Sequence, residues 1–418
     1  MEHFNSKNKI KTKWTWITML LIGMLIVGIT SCNDDDDDEV IAPDIAESGW
    51  ILSFSQEQQT GSINYMSMYE EMPEKIDASS ALELGADVVA ETFGENVYTV
   101  SGSAGTITKW DIDKTTLEFN PTDILSIASA GFSNFNTPVF LSENQAFVID
   151  LNEGSVVEWN PETMEITEAY NVTPNPMVDY EPGSWTRSSV LYPRNGKIFI
   201  PIRYGIDEVC CDLNYPGGMV VGVFDPVSKS VEYKTDIRSF AGHHCFKSDE
   251  ICSLFFALSI YYYLLQVFHD HDDQPFHTVL KFDENGDFDP NFELKLDDIL
   301  PLHVTREVVF ASGENLVCVY IDTSYVVPPY DDRYDMFSAP THKVSINVNT
   351  KEVTPFTALS QHNSLFKLTS IDGVNYINGN DQIDGEWVVT MNRENSFGDY
   401  SKVTVIEGGF FQNFNKLW

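Results

Sequence analysis

Two Thr-Arg dipeptides, Thr186-Arg187 and Thr305-Arg306, are the clearest chemical signal in this 418-residue sequence. The chain holds 63 Asp+Glu against 25 Lys+Arg, and only seven of those cations are arginine. A guanidinium is a planar fork of N–H donors that matches a carboxylate or phosphate with two parallel hydrogen bonds. Read back from the repeated hairpins described below, the same kind of position is held by Asn136-Thr137, His243-His244 and Asn363-Ser364. Asn136, Thr186, Arg187, His243, His244, Thr305, Arg306 and Asn363 are therefore the candidate ligand-binding residues. The two arginines can equally be neutralised by neighbouring carboxylates of the chain itself, and the sequence leaves both readings open.

A second cluster lies between residues 243 and 277, which carry five of the nine His and two of the six Cys. Imidazole and carboxylate together suit a transition-metal ion, so His269, His271 and Asp273 are the candidate metal ligands, with His243, His244 and Cys245 able to converge on them. The competing explanation is an insertion, or a locally shifted reading frame, because Tyr261-Tyr-Tyr263-Leu-Leu265 breaks the spacing of the rest of the chain. Asp283, Asn285, Asp287 and Asp289 alternate as oxygen ligands of a calcium loop would. That segment also falls where a hairpin turn is due and contains the Asn-Gly pair that such turns use. No GxSxG, HExxH or Gly-rich phosphate loop is present, so nucleophilic and metalloprotease chemistry have no positive signature.

The elements that must position these residues come from a repeat. Asn96 to Phe119 reads as strand, turn, strand, Asp turn, strand, with period-2 alternation bounded by Gly and Asp. The same strand end and turn recur at Trp159-Asn-Pro-Glu-Thr163, Phe224-Asp-Pro-Val-Ser228, Phe282-Asp-Glu-Asn-Gly286 and Ile346-Asn-Val-Asn-Thr350. Seven units open near Trp50, Asn96, Gln145, Lys197, Phe255, Asn315 and Asn375. In the first and last units, Ser62–Tyr65 and Ser401–Val405 stand where the others carry a third strand. Units of roughly 40–60 residues with three or four short strands fit propeller blades. The expectation is an all-β, seven-bladed β-propeller, with six or eight blades as alternatives. The aromatic before each turn (Trp110, Trp159, Phe224, Phe282) packs between blades, and the candidate residues fall on inner strands lining a central channel.

Ahead of the repeats, Lys7, Lys9, Lys11 and Lys13 precede an apolar run over 14–29 and then Thr30-Ser31-Cys32. That is the layout of a secretory signal, the alternative being an uncleaved anchor helix. Asp34 to Asp38 and Glu39 follow, a self-repelling, extended charge run. The expected organisation is a signal at 1–31, an acidic tether at 32–48 and the propeller at 49–418. The formal net charge of −38 repels phosphate backbones and argues against a nucleic-acid partner. A hydrophobic content of 43% excludes a disordered chain. With Cys32 assigned to lipid, Cys210, Cys211, Cys245, Cys252 and Cys318 are an odd set. At least one thiol is expected to stay outside any disulfide.

Ile29-Thr30-Ser31-Cys32 resembles a lipobox, the acidic run resembles the export signal of Bacteroidota surface lipoproteins, and the repeats resemble seven-bladed propellers of YVTN type. The whole is similar to propeller lipoproteins of Bacteroidota that are often associated with TonB-dependent receptors. That resemblance implies lipidation at Cys32, attachment to the outer membrane through acyl chains, exposure at the cell surface, and a part in iron or siderophore uptake. The leading expectation is a non-catalytic propeller that binds a small anionic ligand or a receptor. The alternatives are a lyase or hydrolase using channel Arg and carboxylates, and a structural or adhesive surface protein. An enzyme needs an acid and a base converging within ~3 Å of one reacting atom, which a binder does not.

Overall fold

Strands, not helices, account for nearly all regular structure in the computed structural model of the chain. It describes residues 45–58, 61–76, 78–86, 88–131, 138–151, 153–176, 184–188, 191–206, 218–234, 261–265, 278–312, 315–322, 324, 342–356, 364–383, 386–396, 399–407 and 409–418. Among these the helical turns are short 3-10 segments at Ala78–Ser80, Ile127–Ala130 and Leu296–Asp298. Residues 45–418 form one compact unit.

The strands assemble into seven antiparallel sheets, numbered here in chain order of their bulk. Sheet 1 runs Gly409–Lys416, Trp50–Gln58, Gly61–Tyr69, Leu82–Gly85. Sheet 2 runs Val88–Phe93, Asn96–Ser101, Thr106–Ile112, Phe119–Ser126. Sheet 3 runs Val139–Ser142, Gln145–Asp150, Ser155–Asn160, Glu165–Asn171. Sheet 4 runs Ser184–Ser188, Lys197–Ile206, Gly218–Asp225, Ser230–Lys234, with Tyr192–Arg194 also on its second strand. Sheet 5 has three strands, Tyr261–Leu265, Thr278–Phe282 and Leu294–Lys295. Sheet 6 runs Leu302–Ser312, Asn315–Asp322, His342–Asn347, Val353–Pro355. Sheet 7 runs Ser364–Ile371, Val374–Ile383, Glu386–Ser396, Asp399–Glu407, and takes Lys75–Ile76 as a parallel edge strand. The architecture is an all-β propeller with six blades of four or five strands.

One local device ends the third strand of five sheets. Asp113, Asn160, Asp225 and Asn347 each accept two backbone N–H bonds through Oδ1, from residues two and three further on. The chain then turns through a left-handed residue: Leu117 (φ 59°), Met164 (53°), Lys229 (52°) and Lys351 (59°). In sheet 5, Asp283 Oδ1 accepts from Asn285 and Asp287, and Gly286 (φ 81°) takes the left-handed place. Asx side chains stabilise such turns because they bond backbone a few residues ahead.

The first repeat is in a different register from the expectation. Asp113, not Asp111, makes the turn bonds, so Ile112 occupies the place expected for Trp110. Trp110 stands two residues earlier, half-buried, with Nε1 donating to Thr99 Oγ1 at 2.9 Å. In sheet 7, Ser401–Val405 lies on the fourth strand rather than the third. In sheet 5 the turn at Asp283 follows Thr278–Phe282. By analogy with the other sheets this makes Thr278–Phe282 the third strand and Tyr261–Leu265 the second. Phe255 lies outside the described residues.

A blade cannot bury both faces of its own sheet, so its apolar residues are spent on its neighbours. Trp159 is fully buried and meets Tyr98 edge-on at 5.9 Å, joining sheets 2 and 3. Phe224 packs on Phe147 and Tyr170 between sheets 3 and 4. Phe282 stacks on Phe199 at 5.7 Å between sheets 4 and 5. Ile346, Leu316 and Cys318 close on Val279 and Leu294 between sheets 5 and 6. Sheets 7 and 1 share Tyr376, Met391, Phe54 and Phe414, and sheets 1 and 2 share Ile51, Met66 and Val97. The expectation that the residues before the turns pack between blades therefore holds for Trp159, Phe224 and Phe282, and the half-buried Trp110 packs against the cluster shared by sheets 1 and 2.

Closure is polar as well as apolar. The last strand supplies the innermost position of the first sheet, and its amides continue into the next one. Asn413 Nδ2 donates to Ala90 O at 3.2 Å and Asn415 Nδ2 to Thr92 Oγ1 at 2.7 Å. At the outer side the scarce lysines bridge sheets: Lys234 pairs with Asp287 at 3.0 Å, Lys229 with Glu168, and Lys197 Nζ donates to Asn285 Oδ1 at 3.0 Å.

Candidate functional site

In each sheet the first strand begins at the end where the second strand finishes, the end opposite the Asx turns. In a ring of like sheets these ends share one side, called here the leading rim. Thr186-Arg187 lies on Ser184–Ser188, the first strand of sheet 4, and Thr305-Arg306 lies on Leu302–Ser312, the first strand of sheet 6. Both dipeptides sit within a few residues of where their strand starts.

Their register partners match. Thr186 pairs with Tyr204 on the second strand of sheet 4, and Thr305 pairs with Tyr320 on the second strand of sheet 6. Tyr320 is buried and stacks on His342 of the third strand, ring centroids 5.2 Å apart. The next residues diverge. Arg187 pairs directly with Arg203. Arg306 falls where the ladder skips from Thr305 to Glu307, so it is the extra residue of a β-bulge. Bulges leave one residue outside the pairing and change its direction, and they are frequent beside binding sites.

The first strand of sheet 1 has the same irregularity, and there its consequence is visible. Its ladder shifts between Asn413 and Phe411, which sets Gln412 in the bulge. Gln412 Nε2 donates to Asn64 Oδ1 at 2.7 Å and its Oε1 accepts from Ser53 Oγ at 3.1 Å. Asn64 Nδ2 in turn donates to Ala86 O and Val88 O, at 3.1 and 2.8 Å, which fixes the chain as it enters sheet 2. Asn64 is only 4% exposed, and a buried amide must be bonded to be tolerated.

Beside this network Gln412 and Asn413 face Asn378 across a small cavity closed by Tyr376 and Phe414. Its volume of about 10 Å³ is at the lower limit for a single water. The buried Asn378 Oδ1 has no protein donor. An organic ligand does not fit there.

Of the other candidate residues, Asn136, His243, His244, Asn363, His269, His271, Asp273 and Cys32 lie outside the described residues, as do Cys210, Cys211, Cys245 and Cys252. Cys318 is fully buried between sheets 5 and 6. The 283–289 segment is a turn: Asp283 Oδ1 is engaged by two backbone amides, Asp289 Oδ1 accepts from Asn291 N, and Asp287 is paired with Lys234. Among the described residues no group of three or more His, Cys, Asp or Glu is placed to hold a metal ion, and no helix is long and apolar enough to cross a membrane. Arg203, Tyr204, Tyr320 and the Gln412–Asn64 pair were not singled out from sequence. Only a correct strand register sets the first three opposite the Thr-Arg dipeptides, and only the ring closure brings Gln412 to Asn64.

No protein-family model and no curated protein matches the chain. Solved structures similar to it are propeller-like. A hypothetical selenium-binding protein from Sulfolobus tokodaii is 8% identical with a TM-score of 0.49, over 90% of this chain and 94% of that one. A quinoprotein alcohol dehydrogenase-like protein from Bacteroides thetaiotaomicron is 11% identical with a TM-score of 0.46, over 87% and 77%. A putative 6-phosphogluconolactonase from Bacteroides uniformis is 10% identical with a TM-score of 0.43, over 88% and 100%.

Proposed function

We propose that the chain is a non-catalytic binding propeller held on the outer membrane by acyl chains on Cys32, which presents an anionic ligand, or itself, to a TonB-dependent receptor during nutrient uptake. The observation that carries the binding role is the repeated placement of Thr-Arg at the leading rim of sheets 4 and 6, each Thr opposite a Tyr. Two cations brought to one side of a ring in an acidic chain favour an anion between them. The anchor is supported by the basic run, apolar run and Thr-Ser-Cys junction, and the outward-facing address by Asp34 to Asp38.

The blade count belongs to the same reading. Sheet 5 holds three strands in the places of a blade's second, third and fourth, and on this reading it counts as the seventh blade. Class averages of particles viewed down the ring axis count the blades directly, and six-fold averages would remove the seventh.

The binding role is tested with citrate as the probe, titrated into the full chain in detergent. Arg187→Ala and Arg306→Ala should each weaken binding by on the order of 1.5–3 kcal/mol, the range for a charge-assisted hydrogen bond. Wild-type affinity in both variants would end this reading. The anchor is tested separately: a palmitate analogue should label the wild type and leave Cys32→Ala unlabelled.

A further inference from the structure

Three Asn-Gly pairs stand in the chain, at Asn195, Asn285 and Asn378. Such a pair can react with itself. The backbone nitrogen of the glycine attacks the asparagine Cγ, and a five-membered succinimide closes as ammonia leaves. Water then opens the ring to aspartate or isoaspartate, so one water is consumed and one ammonia released, with no oxidant or cofactor. Glycine favours the step because it has no Cβ to hinder the backbone rotation that brings nitrogen to carbon. The fold treats the three sites differently. Gly286 is buried, its N–H donates to Asp283 O at 3.0 Å, and a Cβ on it would lie 2.6 Å from Val223 Cγ2. Gly379 lies within Val374–Ile383, paired with Thr390 on one side and Leu365 on the other. Either glycine must leave a bonded place before its nitrogen can turn. Asn195-Gly196 is the exposed two-residue turn between Tyr192–Arg194 and Lys197–Ile206, left-handed at both residues (φ 50° and 74°). Among the described residues Gly196 N meets no acceptor, and nothing lies within 4 Å of where its Cβ would stand.

We infer that Asn195 is a site of spontaneous deamidation, and that the product undoes a clasp between sheets 4 and 5. On the rim opposite the leading one, Asn195 Nδ2 donates to Glu284 Oε2 at 3.3 Å and Lys197 Nζ donates to Asn285 Oδ1 at 3.0 Å. These bonds join the turn of sheet 4 to the turn of sheet 5. Conversion replaces the Asn195 amide donor by a carboxylate facing Glu284, so an attraction becomes a like-charge contact. Lys197 beside it screens part of that repulsion, which limits the loss without reversing it. An isoaspartate also adds a methylene to the main chain of a turn that has only two residues, which the rung between Arg194 and Lys197 must absorb. The reaction needs neither the ligand nor the anchor proposed above.

The experiment holds the full chain in detergent at mildly alkaline pH, below its thermal midpoint, and maps peptides by mass at intervals. Asn195 should convert at least about tenfold faster than Asn285 and Asn378, whose reaction waits on local opening. In urea the three should convert at similar rates, which separates the fold's protection from local sequence. Enzymatic carboxyl methylation of isoaspartate, followed on the same samples, should rise with the converted Asn195 peptide. Equal rates at the three sites in the native chain overturn the inference, as does an Asn195 that keeps its amide. The clasp is tested with Asn195→Asp, which should lower the thermal midpoint, and with Asn195→Asp/Glu284→Gln, which should recover it. A wild-type midpoint in Asn195→Asp overturns the clasp. A lowered midpoint that Glu284→Gln leaves uncorrected does so too, because the loss then arises elsewhere in the turn.

Discussion

The side chain of Asn415 donates to Thr92 Oγ1 at 2.7 Å across 323 residues of sequence. It joins the last strand of the chain to the first strand of sheet 2, and its own Oδ1 accepts from Lys416 N at 2.9 Å. Asn413 does the same one turn of the pleat earlier, to Ala90 O. Replacing Asn415 by Ala should cost about 0.5–1.5 kcal/mol, the net value of one such bond, and the Asn413/Asn415 double variant should cost more than either alone. Urea midpoints measure this. An unchanged midpoint in the double variant would mean that closure rests on the strand pairing and apolar contacts alone.

Trp159 should be the costliest single residue of the sheet 2–sheet 3 seam. It is fully buried against Tyr98 and Phe140, and truncating a buried aromatic to alanine costs about 3–5 kcal/mol. Trp159→Ala should lower the unfolding free energy by that order. A loss under about 1 kcal/mol would contradict the packing described.

Two left-handed turn residues make opposite predictions. Lys351 is exposed and left-handed (φ 59°), a conformation that costs an L-residue roughly 1 kcal/mol and glycine almost nothing. Lys351→Gly should therefore raise the thermal midpoint. Gly154 is also left-handed (φ 70°), but a Cβ there would lie 2.5 Å from Val172 O, whose own N–H donates to Gly154 O. Gly154→Ala should lower the midpoint by more than Lys351→Gly raises it. Two shifts of the same sign would refute the argument.

Alkaline pH should weaken the fold in part through Tyr98. Burial pushes its phenol up from 10.0 to about 12, and its hydroxyl donates to Pro161 O at 3.3 Å. A folded-state value above the unfolded one means that the unfolded chain releases its proton first. The contribution is therefore complete below pH 10 and lost as pH rises through about 12, following the linkage between proton binding and stability. Tyr98→Phe should show a shallower fall in urea midpoint over that window. Parallel curves for the two proteins would exclude Tyr98 as the source.

The sequence made the turns legible because an Asx followed by a short polar loop after an alternating strand has one common use. It misplaced the first turn because Asp111 and Asp113 offer the same chemistry two residues apart, and only the bonds to Thr115 N and Thr116 N distinguish them. Counting back from the hairpins located the first strands of sheets 4, 6 and 7 to within a few residues. What pattern reading could not supply was the partner of each rung, since a slip of one residue exchanges the two faces of a strand. Arg203 opposite Arg187 and the bulge at Arg306 are facts of register. The closing strand was missed for a different reason: its partner, Trp50–Gln58, lies at the far end of the chain, and alternation within 409–416 carries no information about distance.

That closing strand has a consequence for the order of events in biogenesis. Trp50–Gln58 and Gly61–Tyr69 are synthesised about 350 residues before the innermost rung of their blade. Until residues 409–416 arrive, sheet 1 has an unpaired inner edge, and long-range pairing of this kind is slow because loop closure must precede it. The ring thus stays open until that strand is made. A nascent chain stalled before residue 409 should be cut by protease within 50–69, and one extended past residue 416 should not.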